Sequence, residues 1–415
     1  MSESTIFNII LVIIVLGFMM ERILDWLNAS CWSDVLPESL KAYYDDAKYK
    51  TSQQYFRANQ KISLINSVIS FIVILTMLFF NGFALIDQWV NNISQTLIIQ
   101  SLFFFGIIAF GSSIISFPFD IYDTFVVEQK FGFNKTTIKT YVLDKIKGII
   151  LAIILGGGII SLIVLIYEQT GMWFCPLAWG IITFFVLFMA MFYSNLIVPL
   201  FNKQVPLQEG ELRAAILVFS EKAGFKLDNI YVINGSKRSS KANAYFSGLG
   251  PKKRIVLFDT LIEKHSVNEL VAVLAHEIGH YKKHHIRQSL ILSVLMTGFT
   301  LWLFSWMIEN PVLSHALGAS KPSFYMGAIT FGILYTPISM FTGLLTNMLS
   351  RRNEYQADAF AAKFGLAESL QTALIRLSVD NLSNLNPHPW YVALNYSHPT
   401  LIQRITALKN RTKPE

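Results

Sequence analysis

Uncharged apolar runs of about 20 residues, the length a helix needs to cross the hydrocarbon of a bilayer, recur along the chain. They lie at 6–20, 62–86, 97–117, 149–166, 174–196, 288–308 and 324–349. The pattern predicts seven transmembrane helices. The first run has no basic segment before it, and Glu21 and Arg22 follow it where a cleavable leader would carry small residues, so it is read as a retained span. Between the fifth and sixth runs, Ile230 to Asn234, Asn243 to Ser247 and Arg254 to Phe258 read as short strands parted by turns at Gly235, Gly248, Gly250 and Pro251. Ser266 and Glu269 then form a capping box opening a proline-free run to Gln288, which predicts a helix leading into the sixth span. Beyond Arg351 helical apolar faces alternate with the turn-rich stretch from Asn381 to Pro389. The expectation is a mainly α membrane protein in four parts. Residues 1–196 carry spans one to five, 197–287 a cytoplasmic segment with a small β-sheet, 288–349 spans six and seven, and 350–415 a helical cytoplasmic tail.

Composition agrees: of 415 residues, 53% are hydrophobic and only 15% charged, which excludes a chain of soluble domains. The net charge of +7 would ordinarily raise nucleic acid as a partner. Its distribution argues otherwise. Taken in order, the segments between spans hold 0, 6, 0, 5, 0, 14, 1 and 8 Lys and Arg residues. Cytoplasmic segments keep the basic residues, so the N-terminus is expected outside, the C-terminus and 197–287 inside, and no nucleic-acid partner is expected. With only Cys31 and Cys175 present, any metal has to use histidine and carboxylate.

The predicted helix from Val267 carries His276-Glu277-Ile278-Gly279-His280. At 3.6 residues per turn His276 and His280 share a face and can present two imidazoles to one ion, with Glu277 beside them as a base for water. A catalytic zinc takes a third protein ligand. The sixth and seventh spans form a hairpin, and the first acidic residue after its return is Glu354, at the membrane face that the chain left after His280. Asp358, one turn further, is placed to accept a hydrogen bond from a ligating imidazole. His284 and His285, among Lys282, Lys283 and Arg287, read as a positively charged interfacial collar.

These residues resemble the CAAX prenyl protease 1 family of seven-span zinc metallopeptidases. The resemblance rests on His276 to His280, on Glu354 and Asp358, on Ser239 through Phe246, on Asp123 through Thr137 with Glu128 and Phe131 to Thr136, and on Ser397-His398-Pro399 followed by Arg404. It implies a helical barrel around a water-filled chamber, with one Zn²⁺ held by His276, His280 and Glu354 and water activated by Glu277. Asp358 would brace a ligand, Asn243 would hold the substrate backbone beside an edge strand, and His398 would bind substrate or stabilise the oxyanion. Arg404 is expected to pair with a carboxylate. The implied partner is a peptide or lipidated protein whose C-terminal tripeptide is removed. A quality-control protease acting on non-prenylated substrates, and a scaffold or transporter with a vestigial site, are the competing readings. A monomer is expected, in the bacterial inner membrane or the endoplasmic reticulum.

Overall fold

The structure, a computed structural model, describes residues 1–33, 35, 36, 41, 45–225, 229–248 and 253–412, so Gly250 and Pro251 lie outside the described residues. Six of the described helices are long and apolar enough to cross a membrane: α1 (Glu3–Ser30), α2 (Asp46–Phe79), α3 (Leu97–Glu128), α4 (Ile138–Phe201), α6 (His285–Ile308) and α7 (Phe324–Lys363). Between 6% and 17% of each apolar window is buried inside the protein. Such helices would be untenable in water, and their uncovered Ile114, Phe184 and Trp306 suit a lipid environment. The expected fourth and fifth spans both fall within α4, a helical run that turns at Gly171, whose φ of 50° and ψ of −119° is open to glycine. Pro337 sits inside α7 without ending it.

The segment between the fifth and sixth expected spans folds onto a four-stranded sheet in the order β1-β2-β4-β3. β2 (Ile230–Ile233), β3 (Ala244–Ser247) and β4 (Arg254–Phe258) match the expected strands. The strand the pattern missed, β1 (Gln204–Pro206), is three residues long and ends in proline, too short to show alternation. β2 runs parallel to β4, and β3 pairs antiparallel with β4, so the far side of β3 is a sheet edge. Phe258 N–H donates to the Asn243 carbonyl at 3.1 Å, which sets the antiparallel alternation. Asn243 and Tyr245 therefore point their backbone groups at β4, while those of Ala244 and Phe246 point to the open edge.

Against this sheet lies α5 (Val267–Lys282), started by the Ser266–Glu269 capping box, both halves of which form. Its apolar face, Leu270, Leu274 and Ile278, is essentially fully buried against Ile216, Ile255, Leu257 and Leu261. At ~1.5–3 kcal/mol for each such side chain, this burial anchors α5 in the core built on the sheet. The expected continuous helix into the sixth span is not what forms. His284 takes a left-handed conformation, φ 61°, and α5 stops at Lys282 while α6 restarts at His285. The tail adds α8 (Ala367–Asp380) and α9 (Leu401–Thr412), helices that pack on the same core through Leu370 and Leu408.

Candidate metal centre

α5 and α7 cross closely because of Gly279: a Cβ there would lie 3.0 Å from the Ala357 Cα and 3.1 Å from its carbonyl oxygen. Leu270, Leu274 and Ile278 hold the opposite face of α5 in the core, so His276 and His280 are turned toward α7, which supplies Glu354. His276 Nε2 and His280 Nε2 are 3.1 Å apart. Glu354 Oε1 lies 3.2 Å from His280 Nε2, and Oε2 lies 3.4 Å from His276 Nε2. Donors about 2.0–2.2 Å from a tetrahedral zinc would sit ~3.3–3.5 Å from one another. Three donors of the type zinc prefers thus stand at nearly the spacing it requires, all drawn from buried or half-buried side chains. Glu354 Oε2 is buried and, although 3.4 Å from both His276 Nε2 and Arg404 Nη1, makes no hydrogen bond of ordinary geometry among the described residues, so a bound cation would satisfy it better than the side chains do. The residues present fit the metal.

Each imidazole is held from behind in its own way. His276 Nδ1 donates to Asp358 Oδ1 at 2.8 Å. Asp358 in turn receives two bonds from Arg404, Nε to Oδ2 at 2.9 Å and Nη2 to Oδ1 at 2.6 Å, while Arg404 Nη1 lies 3.4 Å from Glu354. Arg404, on α9, is 9% exposed, so this guanidinium is a buried charge matched by two carboxylates. Without metal, burial and the Arg404 charge push the His276 pKa down, but bonds to Asp358 and Glu354 win and raise it to about 9.

His280 instead faces His285, with 3.1 Å between their Nδ1 atoms, and His285 Nε2 lies 3.0 Å from Gln356 Oε1. His285 is 3% exposed and lines the same cavity. The expected charged collar is therefore wrong for His285. The break at His284 swings the next side chain back onto His280, and a run of His and Lys residues carries no signal of that break.

Glu277 is half-buried and faces the cavity, which measures about 720 Å³ and is also lined by Asn243, Ala244, Phe246 and His398. His398 stands at its rim, 64% exposed, with Nε2 3.4 Å from Glu354 Oε1 and Nδ1 2.9 Å from Ser397 Oγ. Asn243 is at the mouth of β3, but its side-chain oxygen accepts from Ala244 N–H at 2.8 Å, so it turns along its own strand. All seven residues singled out from the sequence, Asn243, His276, Glu277, His280, Glu354, Asp358 and His398, thus lie in or directly behind one cavity. His285 and Gln356 are the additions.

Comparison with known proteins gives the same neighbourhood. Residues 25–203 match the family described as CAAX prenyl protease N-terminal, five membrane helices, and residues 206–412 match peptidase family M48. CAAX prenyl protease 1 of Saccharomyces cerevisiae is 37% identical over 402 residues, covering 90% of this chain and 88% of the yeast protein. The CAAX prenyl protease 1 homolog of Oryza sativa is 35% identical over 387 residues, covering 90% of each. The crystal structure of Saccharomyces mikatae Ste24p superposes with a TM-score of 0.92 at 35% identity, covering 97% of this chain and 99% of that one.

Proposed function

Because the chain belongs to the CAAX prenyl protease 1 family of zinc metalloendopeptidases, we propose that it holds one zinc on His276, His280 and Glu354 and cuts an extended peptide laid along β3. The observation that carries this is the close grouping of the two Nε2 atoms, 3.1 Å apart, with the Glu354 carboxylate, whose Oε1 lies 3.2 Å from His280 and whose Oε2 lies 3.4 Å from His276. When bound, zinc supplies Lewis acidity to the scissile carbonyl and to a water. Glu277 takes the proton from that water and passes it to the leaving amine. Asp358 and His285 fix the two imidazoles so that each presents Nε2. His398, at the rim and above Glu354, donates to the oxygen that becomes negative as the carbonyl is attacked. The open edge at Ala244 and Phe246 offers backbone partners to the substrate, the β-augmentation mode, and Asn243, now bonded within its own strand, is free to exchange that bond for the substrate backbone.

The chain is a multi-pass membrane protein. A straight helix of 64 residues would measure roughly 95 Å, about three times the hydrocarbon thickness, so we read α4 as two spans hinged at Gly171, seven in all. The alternation of basic residues between the spans supports a metal site on the cytoplasmic side. On α3 the consecutive Ser112, Ser113 and Ile114 are all exposed, so the helix is uncovered on a polar as well as an apolar side. That supports helices ranged around a chamber with lipid outside it. A prenylated protein could rest its isoprenoid there, at about 0.8 kcal/mol per buried CH₂, while its C-terminal tripeptide is removed at the metal.

The test is cleavage of a farnesylated CAAX peptide by the purified chain, with a non-lipidated peptide and a chelator beside it. Chelator-sensitive cleavage favouring the lipidated peptide is expected. Equal turnover of both points to non-prenylated substrates, and chelator-insensitive turnover refutes the metal mechanism. Glu277→Gln should keep its zinc while turnover drops by about 10²–10⁴; near wild-type turnover would remove Glu277 as the base.

A further inference from the structure

We infer that Lys241, together with Tyr55 and Glu128, is a positioning cluster through which the membrane half of the chain sets the substrate-docking edge of β3. The inference rests on the reading that β3 takes the peptide.

Lys241 stands two residues before Asn243, and three of its side-chain contacts come from the membrane half. Its Nζ donates to Tyr55 Oη of α2 at 2.8 Å and to Glu128 Oε1, at the end of α3, at 3.0 Å. It also lies 4.5 Å above the Phe133 ring. Tyr55 donates to the same Glu128 oxygen and meets the edges of Phe131 and Phe133 at 5.1 and 5.2 Å. Burial opposes a charge here, and the bonds to Tyr55 and Glu128 more than offset it, so the ammonium stays protonated.

The backbone around Lys241 is tied in the same direction. Ser240 N–H donates to the Phe133 carbonyl at 3.0 Å, Lys135 N–H to the Arg238 carbonyl at 3.0 Å, and Asn134 bridges Ser239 antiparallel. The loop after α3 therefore pairs with the segment entering β3 as a short strand would. Arg238 adds a two-pronged bond to Asp144 of α4, at 2.7 and 2.9 Å. From the cytoplasmic half, Asn381 bonds both Ala242 N–H and Ala242 C=O, each at 3.2 Å. With Lys241 held by α2 and α3 and Ala242 held by the tail, the segment that enters β3 is fixed from both sides, and with it Asn243 and the edge-facing backbone of Ala244 and Phe246. Among the described contacts none of these groups bonds to His276, His280 or Glu354, while Tyr55 and Asn381 line a second cavity that His398 and Arg404 also border. Hence they act on how the peptide lies, and leave the chemistry at the metal intact.

The experiment is steady-state kinetics of the purified full chain on the farnesylated peptide for Lys241→Met, Glu128→Gln, the double variant and Tyr55→Phe, with zinc dissociation constants and melting temperatures measured alongside. Lys241→Met is expected to raise KM about tenfold with kcat within about threefold of wild type and with zinc affinity unchanged. The double variant should lose little more than either single one, because the groups act as one unit. Unchanged KM in Lys241→Met overturns the inference, and so does a joint fall of zinc affinity, melting temperature and kcat, which marks mere structural support. Should Lys241→Met fail to fold, Tyr55→Phe, which removes a single hydroxyl, still decides: a KM raised roughly two- to fivefold supports the cluster and an unchanged one overturns it. Wild-type turnover insensitive to chelator would instead sink the underlying metalloprotease reading, an outcome visible before any variant is made.

Discussion

The two imidazoles of the metal centre sit one helical turn apart and are backed by opposite chemistry. Behind His276 is a buried ionic chain, Asp358 to Arg404 to Glu354. Behind His280 is an uncharged relay, His285 to Gln356. A carboxylate makes its imidazole a stronger donor ligand and fixes its tautomer, but each buried charge has to be matched. A neutral histidine fixes the tautomer only. In the proposed zinc site the difference would make His276 the electrostatic anchor of the cation and His280 a positioned partner.

That assignment can be broken from either side. Asp358→Ala should have the largest effect, because it frees His276 and leaves the buried Arg404 guanidinium with only its 3.4 Å carboxylate contact to Glu354. Loss of about 3–5 kcal/mol of stability and at least a ~100-fold loss of zinc affinity are expected by thermal melts and competitive chelation; a change under threefold would contradict the anchor. Gly279→Ala comes next. Its methyl would meet the α7 backbone at 3.0 Å, and overpacking of this kind costs ~1–3 kcal/mol, here felt as Glu354 withdrawing from both rings and as weaker zinc binding. His285→Leu, which keeps the volume and removes the acceptor, should weaken zinc by about tenfold with little change in melting temperature. Equal losses in His285→Leu and Asp358→Ala would erase the asymmetry.

The smallest effect is in protons. The His276 pKa is raised from 6.5 to about 9 in the metal-free chain, so its contribution to the metal-free fold is complete below pH 6.5 and is lost as pH climbs through 9. Zinc competes with that same proton. Its affinity should therefore rise across that window, and binding at pH 7 should release close to one proton, measurable by calorimetry in buffers of different ionisation enthalpy. A flat pH profile would contradict a protonated His276.

Much of this site was legible in the residues because helical periodicity and membrane topology are both strong constraints. His276 and His280 follow from a spacing of four, and Glu354 and Asp358 from the hairpin that returns the chain to the face it left. Three strands were visible from short runs, two β-branched and one aromatic, between turns. What stayed hidden depends on backbone geometry that side-chain pattern does not encode. The left-handed turn at His284 splits the expected continuous helix and delivers His285 to His280. Gly279 reads as filler between two ligands until α7 is seen against it. Asn243 looked like a group offered to substrate, and the fold has it accepting from the next residue. The Phe131 to Thr136 and Ser239 to Phe246 segments stood out separately, and only the fold shows them paired with each other.

The most direct test of the account is the zinc content of the purified chain beside that of Glu354→Ala. The wild type is predicted to carry one zinc ion per chain and the variant almost none, since two imidazoles without the carboxylate leave the ion under-coordinated. Equal zinc in the two proteins, or none in the wild type after growth with zinc, would contradict the claim that residues 276, 280 and 354 form a metal centre.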